Sequence, residues 1–446
     1  MMGKQRVAEF SLLAALCFTL GAALNLWAPP ATAQEGAGTK QPYTLPEYNA
    51  YQACATDKVP ASQVKCFDDF FAKYPNSALL IYAYPLDYQA YYQLKNWPKV
   101  IEFADKLIGL GDKVGPNEKY GALYARAYAF NAMNTQDPAV AKAEMAACSD
   151  GLKLIPELKK PEQLTDAAFD QQKKVASIYL NGTCAQAAMV QKDYTDAETY
   201  YKAVLALDPD EAITSYRLGQ AYMAMTPPQQ MDGFWYIARA VTAKSATQQQ
   251  STEIKKYLRK LIIAYQGGTV CDSLTDAELN ELLQLAGSSA VRPETYKMAS
   301  AADLTAARTS MTIASVVTDL KTGGDKAKMT WLAACGLEFP DVPSKLFEVT
   351  PGATPDDPID LKVAFVTSDA EFQAATAPDM DVKVVGQPEA ARLEKGNPVR
   401  FTGTLESYDP APSFMVHWDK AKVNPDDIPK EKEKKPAPRR TRKPGH

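Results

Sequence analysis

Between about residues 43 and 325, apolar side chains recur every three to four positions, and this spacing predicts amphipathic helices arranged as antiparallel pairs. The clearest case is DYTDAETYYKAVLALDPDEAITSYRLGQAY, residues 193–222. Ala197, Tyr201, Val204 and Leu205 form one apolar stripe there. Pro209 ends that helix, because a proline pushes the preceding Asp208 toward an extended backbone. Leu218, Gly219 and Tyr222 open the next helix, and the absence of a side chain at Gly219 lets a neighbouring helix come close. Weaker versions of the pattern lie upstream. Phe67, Phe70, Phe71 and Tyr74 run into the stop at Pro75. Tyr88 and Tyr91 precede Asn96-Trp97, Val100, Ala104 and Leu107. Tyr124, Ala125 and Tyr128 pair with Cys148, Gly151 and Pro156.

These residues resemble the tetratricopeptide repeat (TPR), which places Leu-Gly and Tyr on its first helix, Ala and an aromatic on its second, and Pro at its end. The likeness is strongest over 178–211 and 212–245. The second of these carries Thr226-Pro227-Pro228 between its helices. The fold that this implies is mostly α: a TPR-like α-solenoid of antiparallel helical hairpins over 43–325. Further helices are expected at 249–265, at about 275–286 with a capping-box spacing from Thr275 to Glu278, and at 302–321.

From about residue 344 the period shortens. Lys345–Val349, Leu361–Val366, Val382–Val385, Val399–Leu405 and Phe414–Trp418 read as short strands separated by Gly and Pro turns. They predict a small β-barrel domain over 326–424. Gly396-Asn397-Pro398, Gly403 and Tyr408-Asp409-Pro410 give it an OB-like resemblance. Residues 425–446 are Lys-, Pro- and Arg-rich, a basic tail expected to be disordered.

The amino terminus changes the picture of where the chain works. Lys4 and Arg6 precede an apolar run from Phe10 to Trp27, and Ala31-Thr32-Ala33 supplies small residues for cleavage. This is the order of a secretory signal peptide over 1–33, followed by a flexible leader over 34–42. An uncleaved anchor is the alternative, since the run is nearly long enough to span a bilayer. Leu16 before Cys17 does not fit a lipoprotein site. No later segment reads as transmembrane. The expected location is therefore periplasmic or secreted. The chain has 49 basic and 53 acidic residues. Its last seventeen residues hold eight of the basic ones against two acidic, so the body between signal and tail is acidic. An acidic body does not suit non-specific nucleic-acid binding, which depends on neutralising phosphates.

Six cysteines follow the signal: Cys54, Cys66, Cys148, Cys184, Cys271 and Cys335. None forms a Cys-x-x-Cys pair, so no zinc or redox motif is present. The repeat register implied by the TPR resemblance would bring Cys148 to Cys184, and Cys54 to Cys66, as possible disulfides, leaving Cys271 and Cys335. Free buried cysteines are the alternative.

Catalytic patterns are scarce. The two histidines are His417, on an expected strand, and His446. No zinc-protease, phosphate-loop or nucleophile motif occurs, and the glycines of Thr322-Gly323-Gly324-Asp325 read as an interhelical loop. No catalytic, metal or cofactor site is expected. The TPR resemblance implies a partner-binding concave face on the first helices, with Gln89, Arg126, Gln186 and Gln220 at equivalent places. Tyr92, Met189 and Met223 form a softer row beside them, with Tyr216 one turn earlier. The function expected is a non-catalytic exported scaffold or adaptor for a protein or peptide ligand. The alternatives are an envelope-associated structural protein, its tail in weak electrostatic contact with an anionic surface, and an enzyme with a site between solenoid and barrel.

Overall fold

The structure, a computed structural model, describes residues 42–268, 271–354 and 356–430. The expected signal peptide, nearly all of the expected leader and the basic tail beyond residue 430 lie outside the described residues. Two compact units divide the chain. One runs to Leu258 and includes Leu282–Pro293; the other holds Arg259–Glu281 and the residues from Glu294 onward.

The first unit is a series of helical hairpins. Helices α1 (Leu45–Thr56) and α2 (Pro60–Lys73) form the first, α3 (Leu80–Gln93) and α4 (Trp97–Ile108) the second, α5 (Pro116–Met133) and α6 (Pro138–Leu154) the third. Helices α7 (Asp166–Gln191) and α8 (Tyr194–Leu207) form the fourth, α9 (Ala212–Ala224) and α10 (Gln230–Thr242) the fifth. Helix α11 (Gln248–Tyr265) begins in this unit and α12 (Asp272–Ser288) ends in it. From α1 to α10 each helix packs on the next. First helices also touch the following first helices, α1 on α3, α3 on α5 and α5 on α7. The result is a helical, solenoid-like stack.

Local chemistry explains the boundaries. Pro starts α2 and α5 where its missing N–H costs nothing. Asp193 caps α8 by accepting from the Asp196 N–H, and Ala197, Tyr201 and Val204 are its buried face. Helix α7 starts at Asp166, ahead of the span 178–211 over which the repeat resemblance is strongest. Thr165 caps it, and Phe169 and Ala176 extend the buried stripe that continues through Tyr179, Leu180 and Cys184. Disulfides join Cys54 of α1 to Cys66 of α2, and Cys148 of α6 to Cys184 of α7.

The second unit holds α13 (Ala301–Thr309), α14 (Ile313–Thr322), α15 (Gly324–Ala334) and the barrel. The expected helix 302–321 is two helices, because Thr312 and Ser315 form a capping box that starts α14 afresh. Gly323, at φ 78°, turns the chain into α15. That helix occupies the start of the stretch expected to be barrel. The Thr275–Glu278 capping box is not formed. Helix α12 already starts at Asp272, so Thr275 lies inside its first turn, and Glu278 instead accepts from Gln266 Nε2 at 2.5 Å. Cys271 is bonded to Cys335.

Five strands close the barrel: β1 (Glu338–Thr350), β2 (Ile359–Phe365), β3 (Met380–Val384), β4 (Pro398–Asp409) and β5 (Met415–Val423), in the order β1-β2-β3-β5-β4. A short helix, α16 (Asp369–Ala374), lies between β2 and β3. All pairs are antiparallel except β3 with β5. Alternate residues fill the interior, among them Val342 and Leu346, Leu361 and Val363, Val382, Phe401 and Leu405, and Trp418. Phe401 meets Trp418 edge-on, ring centres 5.2 Å apart.

Candidate functional site

All eight residues expected to line a binding face lie on first helices: Gln89 and Tyr92 on α3, Arg126 on α5, Gln186 and Met189 on α7, and Tyr216, Gln220 and Met223 on α9. Each is half-buried. Within a helix, spacings of three or four residues put such side chains on one side, but several of them are committed to neighbouring helices. Tyr92 meets Trp97 of α4 edge-on at 5.6 Å and Tyr128 of α5 at 4.9 Å. Arg126 Nε lies 2.8 Å from Asp105 Oδ1 of α4, with its guanidinium over the Phe130 ring. Met223 lies against Gly233 of α10, where a Cβ would come within 2.7 Å of its sulfur.

Gly219 sets the geometry of the fifth hairpin. A Cβ there would stand 2.6 Å from Ile237 Cγ1 and 2.8 Å from the Gly233 carbonyl oxygen, so α9 and α10 meet backbone to side chain only because both positions are glycine. Tyr222, one turn on, ties α9 to α8. Its hydroxyl donates to Glu198 Oε1 at 2.8 Å, and Lys202 Nζ sits 2.6 Å from the same oxygen. Burial pushes the Tyr222 hydroxyl above its usual range. Although burial opposes it, bonds to Glu198 and Tyr222 hold the Lys202 ammonium above its own.

Between α9 and α11 these helices leave a hollow of about 230 Å³. Ala212, Ile213 and Tyr216 line it from α9, and Gln250, Glu253, Ile254 and Tyr257 from α11. The Tyr216 and Tyr257 rings stand edge-to-face, 6.0 Å apart. Gln220 Nε2 donates to Tyr216 Oη at 3.1 Å and so fixes the ring's polar tip. Tyr257 is exposed, a rare state for so large a ring among the described residues. Of the eight expected residues, Tyr216 alone lines this hollow. The α11 contributors were not legible as a site. The sequence signal was the stripe Ile254, Leu258 and Ile262, and without a Leu-Gly-Tyr marker it specified a helix and no face.

On the barrel, His417 Nε2 lies 3.0 Å from Asp409 and its Nδ1 3.3 Å from Asp381. The imidazole therefore faces two carboxylates, not a hydroxyl or thiol. Nearby cations are also engaged, Lys362 with Asp381 and Lys383 with Glu406. All six cysteines among the described residues are in disulfides. Among the described residues no cluster of His, Cys, Asp and Glu could hold a metal ion, and no helix is long and apolar enough to cross a membrane.

Neither a protein-family model nor a curated protein matches the chain. The class is accordingly set by the fold: a mostly α chain of stacked helical hairpins followed by a small closed β-barrel.

Proposed function

We propose that the protein is a non-catalytic, exported scaffold that holds a segment of another protein against the first helices of a TPR-like stack. The observation that carries this reading is the Tyr216–Tyr257 hollow. It lies between the first helix of the fifth hairpin and the helix that follows that hairpin, on the side of the first helices, where a solenoid of this kind would present its ligand face. At about 230 Å³ it is smaller than the ~300–1,000 Å³ usual for small-molecule sites, and it suits one or two anchoring side chains of a longer partner. Its lining of aromatic and aliphatic groups with two amide or carboxylate side chains matches anchor pockets, in which a buried apolar residue supplies affinity and nearby polar groups set register.

The engaged His417 and the absence of a free thiol among the described cysteines favour binding over nucleophilic catalysis. The paired cations on the barrel do not favour a phosphate-tracking nucleic-acid groove. Three disulfides favour an oxidising compartment, as export requires.

Photo-crosslinking tests the reading. A photoreactive phenylalanine analogue would replace Tyr257 in one variant and Lys106, on a second helix, in another. Adducts to a discrete protein in native envelope extract are expected from position 257 and not from position 106. No adduct from position 257, equal labelling from both, or labelling of lipid or wall polymer alone would defeat the proposal.

A further inference from the structure

Asp87 on α3 is completely buried, and neither carboxylate oxygen has a hydrogen-bond partner. Its surroundings are aromatic. Tyr84 and Tyr91 flank it on the same helical face; Tyr84 lies 4.9 Å from Phe71 of α2 and Tyr91 5.5 Å from Phe103 of α4. The charged groups that act on it are Asp68 of α2 and Lys99, Glu102 and Lys106 of α4. Neither lysine reaches it. Both are held by Glu102, each 2.8 Å from one of its oxygens. Asp68 adds a like charge. A carboxylate buried without a partner or a hydrogen bond is among the most costly groups a core can contain, and it relieves that cost by keeping its proton.

We infer that Asp87 is a proton-operated latch of the first two hairpins: as the neutral acid it is a core residue around which α2, α3 and α4 close, and loss of its proton loosens that closure. Burial first, and Asp68 second, push its carboxyl up to about 8. The sign follows. The unfolded aspartate titrates near 3.9. The folded value is higher, so the stabilisation is fully present below about pH 4 and is lost as pH rises to about 8. Within that window each pH unit weakens the closed state about tenfold. Gln89 and Tyr92 lie on the same helix, so loosening would also disturb the proposed ligand face; this last consequence rests on the binding reading above.

The test uses the full chain without a partner, so its outcome is separate from that reading. Carboxyl-carbon NMR of aspartate-labelled protein should show Asp87 titrating above pH 7. Hydrogen-exchange protection of α2–α4, corrected for intrinsic base catalysis, should fall roughly tenfold per unit across the window and level off above pH 8. Asp87→Asn and Asp87→Leu should abolish that dependence while leaving α7–α10 unchanged. A titration below pH 5 overturns the inference, as does the wild-type pH dependence persisting in both variants. If neither variant folds, the carbon titration of the wild type decides.

Discussion

At Gly219, one missing methyl group governs how closely two helices approach. An added Cβ would sit 2.6 Å from Ile237 and 2.8 Å from a backbone oxygen that cannot rotate away. Gly219→Ala should therefore destabilise the protein by about 1–3 kcal/mol in chemical denaturation, the usual cost of overpacking. Gly182, inside α7 with open space where a Cβ would stand, is the control. Gly182→Ala should stabilise by about 0.5–1 kcal/mol through helix propensity alone. Equal effects at the two positions would mean that the close approach does not exist in solution. Glu144 on α6 offers a second residue-scale measurement. It is buried, and burial pushes its carboxyl up to about 7. An unfolded glutamate titrates near 4.3. The neutral acid's stabilisation is thus full below about pH 4 and lost by about pH 7. Glu144→Gln should raise the melting temperature at pH 8 and change it little at pH 4.

At the scale of elements, the hairpins are fastened by cross-links as well as packing. The Cys148–Cys184 bond closes a sequence separation of 36 and joins α6 to α7; the Cys54–Cys66 bond closes 12. By loop-closure entropy they contribute about 4 and about 3 kcal/mol respectively. Replacing Cys148 and Cys184 together by Ala should accordingly cost more than replacing Cys54 and Cys66, as read from denaturation midpoints at unchanged slope. The reverse order would point to strain or residual structure outweighing loop length. Secondary structure itself was largely legible. The five strands were visible because each alternates an inward apolar residue with an outward polar one. Their ends were less so: β1 begins at Glu338, before its clear alternation starts. Helix starts failed where the capping signal was ambiguous. Thr275-x-x-Glu278 fits a capping box, but the chain was already helical from Asp272, and Glu278 is held by Gln266 instead.

For the whole molecule, the balance between core and cross-links is the quantity to test. Three disulfides together contribute about 11 kcal/mol by the same entropy argument, comparable with the ~5–15 kcal/mol total stability of a typical folded domain. Full reduction should lower the melting temperature by well over ten degrees or prevent cooperative folding, measured by circular dichroism with and without reductant. A shift of only a few degrees would show that the cores stand alone and would remove this support for an oxidising compartment. The hollow between α9 and α11 makes a second demand. Tyr257→Ala should cost no more than about 1 kcal/mol of stability, since the residue is 37% exposed, yet weaken binding to the crosslinked partner by about 2 kcal/mol, some thirtyfold.

By itself the sequence determined the periodicities, and with them the helical stack, the strands and the place where one gives way to the other. Leu218-Gly219-Tyr222 announced a close helix pair because only a residue without a side chain permits that contact. Which helical face stays open was decided by tertiary structure. Tyr92, Arg126 and Met223 were expected on that face, but neighbouring helices claim them. Tyr257 stands in the hollow because α11 follows α9 in the stack, a relation that no local pattern encodes. Asp87 shows the same division. In sequence it is one acidic residue among many in a tyrosine-rich helix. Its buried, partnerless state arises only when α2 and α4 close over it, since solvent exclusion belongs to the packed arrangement and not to the residue.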